Sequence, residues 1–321
     1  MKKLLVLGLL VGAALLAGLW FIQGWSGAGP AKAPTPVVIE AGSSMVKAAN
    51  TLEQAGVIAS AERFLFQAKL FGGGKSIKAG EYEFPAGASH SQVLSILQSG
   101  KTLQRMVTVP EGMPSVLVHE RLMRAPTLVG DVPVPEEGSV LPDSYSHQRG
   151  ESRAAVLKRM QGAMEKTLAE LWPKRSPRTV VKSPREAVIL ASVVEKETGK
   201  ASERPMIAGV YSNRLRIGMK LDADPTVIYP ITKGRPLGRR IRQSELQANN
   251  GYNTYAMAGL PAGPIANPGR ESIAAVLNPA ETQALYFVAD GTGGHVFANT
   301  LAEHNANVQK WFAIRRARGE M

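Results

Sequence analysis

A chain of 321 residues, 44% of them hydrophobic and 20% charged, has the composition of folded protein and room for one large core or two modest ones, which excludes wholesale disorder. It has no cysteine, so disulfides, thiolate metal sites and cysteine nucleophiles are excluded together. The net charge of +12 (38 basic against 26 acidic residues) suits a polyanionic partner. No helix-turn-helix, zinc-finger or aromatic ribonucleoprotein signature accompanies it, so nucleic acid is not the expected one.

Lys2 and Lys3 precede an uncharged stretch, Leu4 to Ile22, long enough as a helix to span about 28 Å, close to a hydrocarbon core. Trp20, Phe21 and Trp25 stand at its outer end, where an aromatic interfacial belt belongs. The reading is a single-pass anchor with a cytoplasmic amino terminus and everything after Trp25 outside the cell's inner membrane. The competing reading is a cleaved signal peptide with Ala31-Lys32-Ala33 as its cleavage site. Without a cysteine, a lipoprotein anchor is excluded.

GWSGAGPAKAPTP, residues 24–36, reads as a Gly/Pro/Ala linker. A small unit follows: a strand at Val37–Ile39, a turn at Gly42–Ser44, a helix from Met45 to Ala55, and a second helix after Ser60 that ends at Gly72–Gly74. Lys78 to Phe84 reads as a returning strand, and Ser91 to Gln98 as a helix stopped by Gly100. Met106 to Gly112 reads as a strand ending in a Pro-Glu-Gly turn, and Ser115 to Met123 as a helix. A loop rich in proline and acidic residues leads through Tyr145 to a helical pattern from Ser152 to Leu171.

Ser183-Pro184-Arg185-Glu186 has the chemistry of a helix start, and the helix runs on through Ala187 to Thr198 before Gly199. At about 100° per residue, Ile189, Leu190, Val193 and Val194 share an apolar face, and Glu197 lies within about 20° of its centre. Glu195 falls on the opposite side. A carboxyl on an apolar face has its neutral form favoured, so its pKa moves toward the range of a general acid working near neutrality. Helix geometry alone also permits Glu197, one turn from the helix end, to swing into water.

The segment Ala191 to Thr198 (ASVVEKET) resembles the signature of the MltG-type, YceG-like endolytic murein transglycosylases. The resemblance continues in order through Ala201 to Arg204, VYSNRLRIGMKL (Val210 to Leu221), DPTVIY (Asp224 to Tyr229), Tyr252 to Tyr255, GLPAG (Gly259 to Gly263), Pro264 to Gly269, and YFVADGTGGHVF (Tyr286 to Phe297). Val37 to Ile58 and Ile77 to Phe84 are similar to the LysM-like module of the same family. The resemblance implies an acid/base Glu in the EKE segment, carried to Glu197 with Glu195 as the fallback. Asn213, Asp224, Thr226, Tyr252, Asn253, Thr254 and Tyr255 are the candidate substrate-binding residues, the tyrosines for sugar faces and the others for hydroxyl or acetamido groups. Gly259 to Gly269 reads as a loop and a candidate cleft wall. His295 and His304 lack metal-ligand spacing, so no metal and no cofactor is expected.

The expected fold class is α+β: an anchor within 1–25, a linker at 26–36, a LysM-like module at 37–105 and a larger mixed α+β catalytic domain at 106–321. The implied reaction cleaves the bond between N-acetylmuramic acid and N-acetylglucosamine inside peptidoglycan strands and leaves 1,6-anhydro ends, terminating or trimming nascent strands. Expected partners are the glycan strands, the lipid bilayer through residues 4–22, and peptidoglycan synthases. A hydrolase using Asp222 or Asp224 as a second carboxylate, and a non-catalytic wall-binding or division scaffold, are the rival readings.

Overall fold

A computed structural model describes Gly12 and residues 23–320. Apart from that glycine, the predicted anchor lies outside the described residues, and among those residues no helix is long and apolar enough to cross a membrane. The fold is mixed α+β, with three two-stranded sheets among the helices of the described residues. The chain divides into two compact units: Met1–Arg105 with Ser146–Gly150, and Met106–Tyr145 with Glu151–Met321.

The first unit runs β1 (Thr35–Ile39), α1 (Met45–Gln54), α2 (Ala61–Phe71), β2 (Gly80–Phe84) and α3 (His90–Ser99). Ser44, Ser60 and Ser89 cap the three helices by accepting a backbone N–H three residues on, and at Ser89 the Gln92 side chain completes a capping box. β1 and β2 pair antiparallel with Val37 opposite Tyr82. Val37, Ile39, Leu52, Phe64, Tyr82, Phe84 and Leu97 fill the core beneath them. The Glu81 side chain, only 4% exposed, is held by Arg105 at 3.0 Å and Arg149 at 3.4 Å.

The stretch read as a linker is bonded to this unit. Gly29 N–H donates to Gly87 O at 3.0 Å, and Gly87 N–H donates to Ala31 O at 2.7 Å. Glycine permits the approach, since a Cβ at Gly29 would stand 2.3 Å from Ala88 O. Trp25, read as an interfacial residue, packs on the unit's core with its ring 5.3 Å from that of Phe71. Composition marked a flexible segment; backbone hydrogen bonds to the distant Gly87 hold part of it down.

In the second part of the chain follow β3 (Arg105–Thr108), α4 (Ser115–Arg124), β4 (Ser144–His147), α5 (Arg153–Leu171), α6 (Pro184–Glu197), α7 (Arg204–Arg216), α8 (Asp224–Thr232), α9 (Gln243–Leu246), α10 (Arg270–Leu277), β5 (Tyr286–Ala289), β6 (His295–Ala298) and α11 (Leu301–Ala317). β3 is followed by the expected Pro-Glu-Gly turn, which opens at Pro110 and is closed by Met113 N–H donating to Pro110 O. β5 and β6 form an antiparallel hairpin with Phe287 opposite Phe297.

α6 is the centre of this unit. Every residue from Ala187 to Val194 is buried, so the helix has no solvent face over two turns, and it packs against α7, α8 and α10. Its start follows the sequence reading, with Ser183 Oγ accepting Glu186 N–H and Pro184 in the first turn. The Glu186 carboxylate takes Lys182 N–H at 2.6 Å rather than the cap's own.

The Pro/Gly-rich loop of 259–269 is tied to α6 and its surroundings by side chains. Ser192 Oγ accepts Ile265 N–H at 3.0 Å. Fully buried Asn267 accepts Val140 N–H through Oδ1 at 3.0 Å and donates Nδ2 to Met113 O at 2.9 Å and Ser115 Oγ at 3.0 Å. Asn267→Ala would leave Val140 N–H buried without its acceptor, and we expect it to lower unfolding free energy by on the order of 2 kcal/mol in urea titrations. An unchanged midpoint would contradict the bracing role given to this amide.

Candidate active site

The last turn of α6 sends its two glutamates into different surroundings. Glu195, expected on the side opposite the apolar face, is nonetheless buried, with its side chain 4% exposed. Arg204 Nη2 donates to its Oε1 at 3.1 Å and Gly269 N–H to its Oε2 at 2.9 Å. Arg204 also donates to Glu111 Oε2 at 2.6 Å, and the missing Cβ of Gly269 leaves room for that carboxylate, which a Cβ would approach to 2.1 Å. Both oxygens of Glu195 are thus taken up by charge-assisted or backbone hydrogen bonds.

Glu197 has the contrasting environment. Its Oε1 is buried with no hydrogen-bond partner among the described residues. Burial pushes its pKa up to about 7; the Asp224 carboxylate adds to the rise, while the Tyr211 hydroxyl and the Arg214 guanidinium oppose it.

The carboxyl opens on a cleft of about 550 Å³ lined by Glu197, Arg214, Asp222, Asp224, Tyr255 and Tyr286 among others. Tyr255 donates its hydroxyl to Asp224 Oδ1 at 2.7 Å, across from the first turn of α8. Asp222 sits at φ +50°, and its carboxylate lies 3.5 Å from Arg214; burial raises its pKa. Arg214 is fixed by donating to Leu285 O at 2.6 Å and Leu221 O at 2.8 Å. The rings of Tyr286 and His304 stack with centroids 5.2 Å apart on another wall, and burial lowers the His304 pKa.

Of the residues singled out from sequence, Glu197, Asp222, Asp224 and Tyr255 meet in this cleft. Thr226, Asn253 and Thr254 are fully buried beneath it. Thr226 and Thr254 share a hydroxyl bond of 2.9 Å, and Thr254 Oγ1 accepts Ala223 N–H at 3.0 Å. Asn253 Nδ2 donates to Leu246 O at 2.9 Å and Ala248 O at 2.8 Å, while its Oδ1 accepts Tyr255 N–H at 2.9 Å. These three brace the loops that carry Asp222, Asp224 and Tyr255. Tyr252 packs on the core beside Tyr229, with ring centroids 5.1 Å apart. Asn213 donates to Thr282 O at 2.8 Å and Ala284 O at 3.1 Å and borders a different cleft, with Arg178 and Arg216. The 259–269 loop borders α6 away from the Glu197 cleft, where Ile265 lines an apolar groove with Pro114 and Tyr229. Arg214, Tyr286 and His304 were not singled out as site residues, although Arg214, three residues after Tyr211, shares its helical face.

Fold and cleft together describe a mixed α+β protein with a desolvated carboxyl, Glu197, at the end of a buried helix. A profile of the YceG-like family matches residues 37–310. An endolytic murein transglycosylase of Bacillus subtilis is 28% identical over 316 positions, covering 88% of this chain and 86% of the relative. One from Streptococcus pneumoniae is 28% identical over 321 positions, covering 85% of this chain but 57% of the relative, so the chain spans little more than half the length of the pneumococcal protein. A crystal structure of a yceG-like protein from Listeria monocytogenes matches with a TM-score of 0.54 at 28% identity, covering 86% of this chain and 99% of that one. The chain belongs to the YceG-like family.

The two glutamates predict opposite stability effects. A carboxyl whose folded pKa lies near 7, against 4.5 unperturbed, penalises the folded state increasingly as pH rises from about 4.5 through 7. Glu197→Gln should therefore be the more stable protein at pH 8, by on the order of 2 kcal/mol, with the gain fading toward pH 4.5. Glu195→Gln breaks a buried ion pair and should lose on the order of 3 kcal/mol at pH 8. Urea unfolding of both variants at pH 5 and pH 8 checks this; a Glu197→Gln protein no more stable than the parent at pH 8 would contradict it.

Proposed function

We propose that this protein is a membrane-anchored lytic transglycosylase that cuts peptidoglycan glycan strands internally, with Glu197 as its acid/base. The observation that carries the reading is the Glu197 carboxyl, its Oε1 buried without a partner, at the wall of a cleft large enough for sugar rings, where burial pushes its pKa up to about 7. The relatives named endolytic murein transglycosylases support the substrate class.

In this mechanism protonated Glu197 gives its proton to the oxygen bridging N-acetylmuramic acid to N-acetylglucosamine, and the C1–O bond breaks. The resulting carboxylate takes the proton of the muramic 6-hydroxyl as that oxygen bonds to C1. A 1,6-anhydro end forms, no water is consumed, and Glu197 is protonated again. The intramolecular nucleophile has the advantage of high effective molarity. Asp222 lies beside Arg214 and Asp224 accepts the Tyr255 hydroxyl, so each carboxylate of the rival hydrolase is already engaged. Tyr255 and Tyr286 supply aromatic faces for the sugars.

The rest of the reading rests on sequence. Residues 4–22 anchor the chain in the cytoplasmic membrane with the enzyme on its periplasmic side, and residues 37–105 act as a LysM-like module that holds glycan. Nascent strands, and the synthases that make them, are the corresponding partners.

Mass spectrometry of glycan strands incubated with the protein tests the proposal. Anhydro-muramic ends are expected, with kcat/KM falling above about pH 7 as the acid ionises. Glu197→Gln should lose about 10³-fold or more. Reducing ends would assign a hydrolase, and intact strands would assign a binding protein.

A further inference from the structure

Glu197 is bracketed by two residues that are themselves held: Glu195 by Arg204, and Thr198 by the neighbouring Glu203. The second of these contacts belongs to a buried polar cluster that the mechanism above does not use. Glu203, 8% exposed, lies in the turn between α6 and α7. Its Oε1 accepts His295 N–H at 3.0 Å and lies 3.4 Å from Lys200 Nζ. Its Oε2 accepts His295 Nδ1–H at 2.8 Å and lies 3.5 Å from the Thr198 hydroxyl, whose proton it shares with Lys200 O at 3.4 Å. Thr198 is the C-cap of α6 and the residue directly after Glu197, and its Oγ1 also accepts Lys200 N–H at 3.0 Å.

His295 opens β6, and its ring makes a T-shaped contact with Phe287 of β5 at 5.2 Å. Phe287 in turn lines the Glu197 cleft and meets the ring of Tyr211, on α7, edge-on at 5.8 Å. One carboxylate thus joins the end of the helix bearing Glu197 to the hairpin that walls the cleft. The hairpin turn is shaped to admit it. Asp290 Oδ1 accepts the N–H groups of Thr292 at 2.6 Å and Gly294 at 3.1 Å, and a Cβ on Gly294 would stand 2.4 Å from Glu203 Oε1.

We infer that Glu203 and His295 are a positioning pair, fixing Thr198 and the β5–β6 hairpin so that the Glu197 carboxyl is held in the cleft wall. The inference rests on the proposed role of Glu197. Neither residue touches the cleft's contents; both act through Thr198 and Phe287. The other charged groups around the pair are Lys200 and Asp290, and those around Glu197 are Asp224 and Arg214. A displacement of about 1 Å at a reacting group can lower a rate on the order of 10²-fold, so loosening either anchor should fall on the chemical step.

The test compares Glu203→Gln, His295→Leu, His295→Asn and Gly294→Ala in the full chain, with Glu197→Gln as reference, on isolated glycan strands. Glu203→Gln and His295→Leu should lower kcat by about 10- to 100-fold with KM changed less than about 2-fold. The basic limb of their kcat–pH profiles should move to lower pH, because a loosened Glu197 regains water. His295→Asn places an amide N–H near the position of Nδ1 and should recover most of the kcat. Gly294→Ala, which crowds the Glu203 carboxylate, should lower kcat with the same shift of the limb. Wild-type kcat in Glu203→Gln and His295→Leu would overturn the inference. So would a loss of kcat that matches a lost folded fraction in melting curves while the basic limb stays in place, since that is a structural role only. A Glu197→Gln protein as active as the parent would instead bring down the reading of Glu197, and this pairing with it.

Discussion

The site depends on a helix that has no free side. Residues Ala187 to Val194 of α6 are buried all the way round, so the helix cannot turn about its axis without exposing apolar surface somewhere. Burial on this scale makes the orientation of the following turn a property of the whole core. Arg204 then grips Glu195, Glu203 reaches Thr198, and Glu197 between them is left facing the cleft. The adjacent residues Glu203 and Arg204 thus act on the same helix end. Ser192 and Asn267 complete the bracing from the Pro/Gly loop.

Desolvation is the functional consequence of that constraint. A carboxyl on a flexible, wet helix end would sit near its ordinary pKa and be ionised at neutral pH, unable to protonate a leaving oxygen. Burying Glu197 where Oε1 lacks a partner raises the pKa to about 7 and costs folding stability increasingly as pH rises from about 4.5 through 7. Sites that trade stability for a shifted group are a general feature of enzymes. Here the penalty falls on one oxygen, while the neighbouring Glu195, in the same turn, has both oxygens satisfied.

Much of this was legible in the chain. Serine caps at Ser44, Ser60 and Ser183 are local chemistry, and each marks a real helix start. The apolar face of α6 and the position of Glu197 upon it follow from the 3.6-residue period. The surroundings of Glu195 do not, since its partners lie 9 and 74 residues away and only the fold brings them together. Asn253, Thr254 and Thr226 look alike in sequence as sugar ligands or backbone braces; only the fold brings in the partners that take up their side chains. Residues 26–36 have a linker's composition, yet hydrogen bonds to Gly87 hold part of them in place. His304 and Tyr286 carry no spacing signal, because α11 and β5 reach the cleft only through tertiary packing.

The central claim is that the Glu197 carboxyl is protonated near neutral pH in the resting protein. Carbon-13 NMR of the protein labelled at glutamate side-chain carboxyls measures this directly, with Glu197→Gln identifying the resonance. The account predicts a signal that titrates with a midpoint near 7. A midpoint near the unperturbed 4.5 would contradict it, and would leave the buried helix end without the chemistry assigned to it.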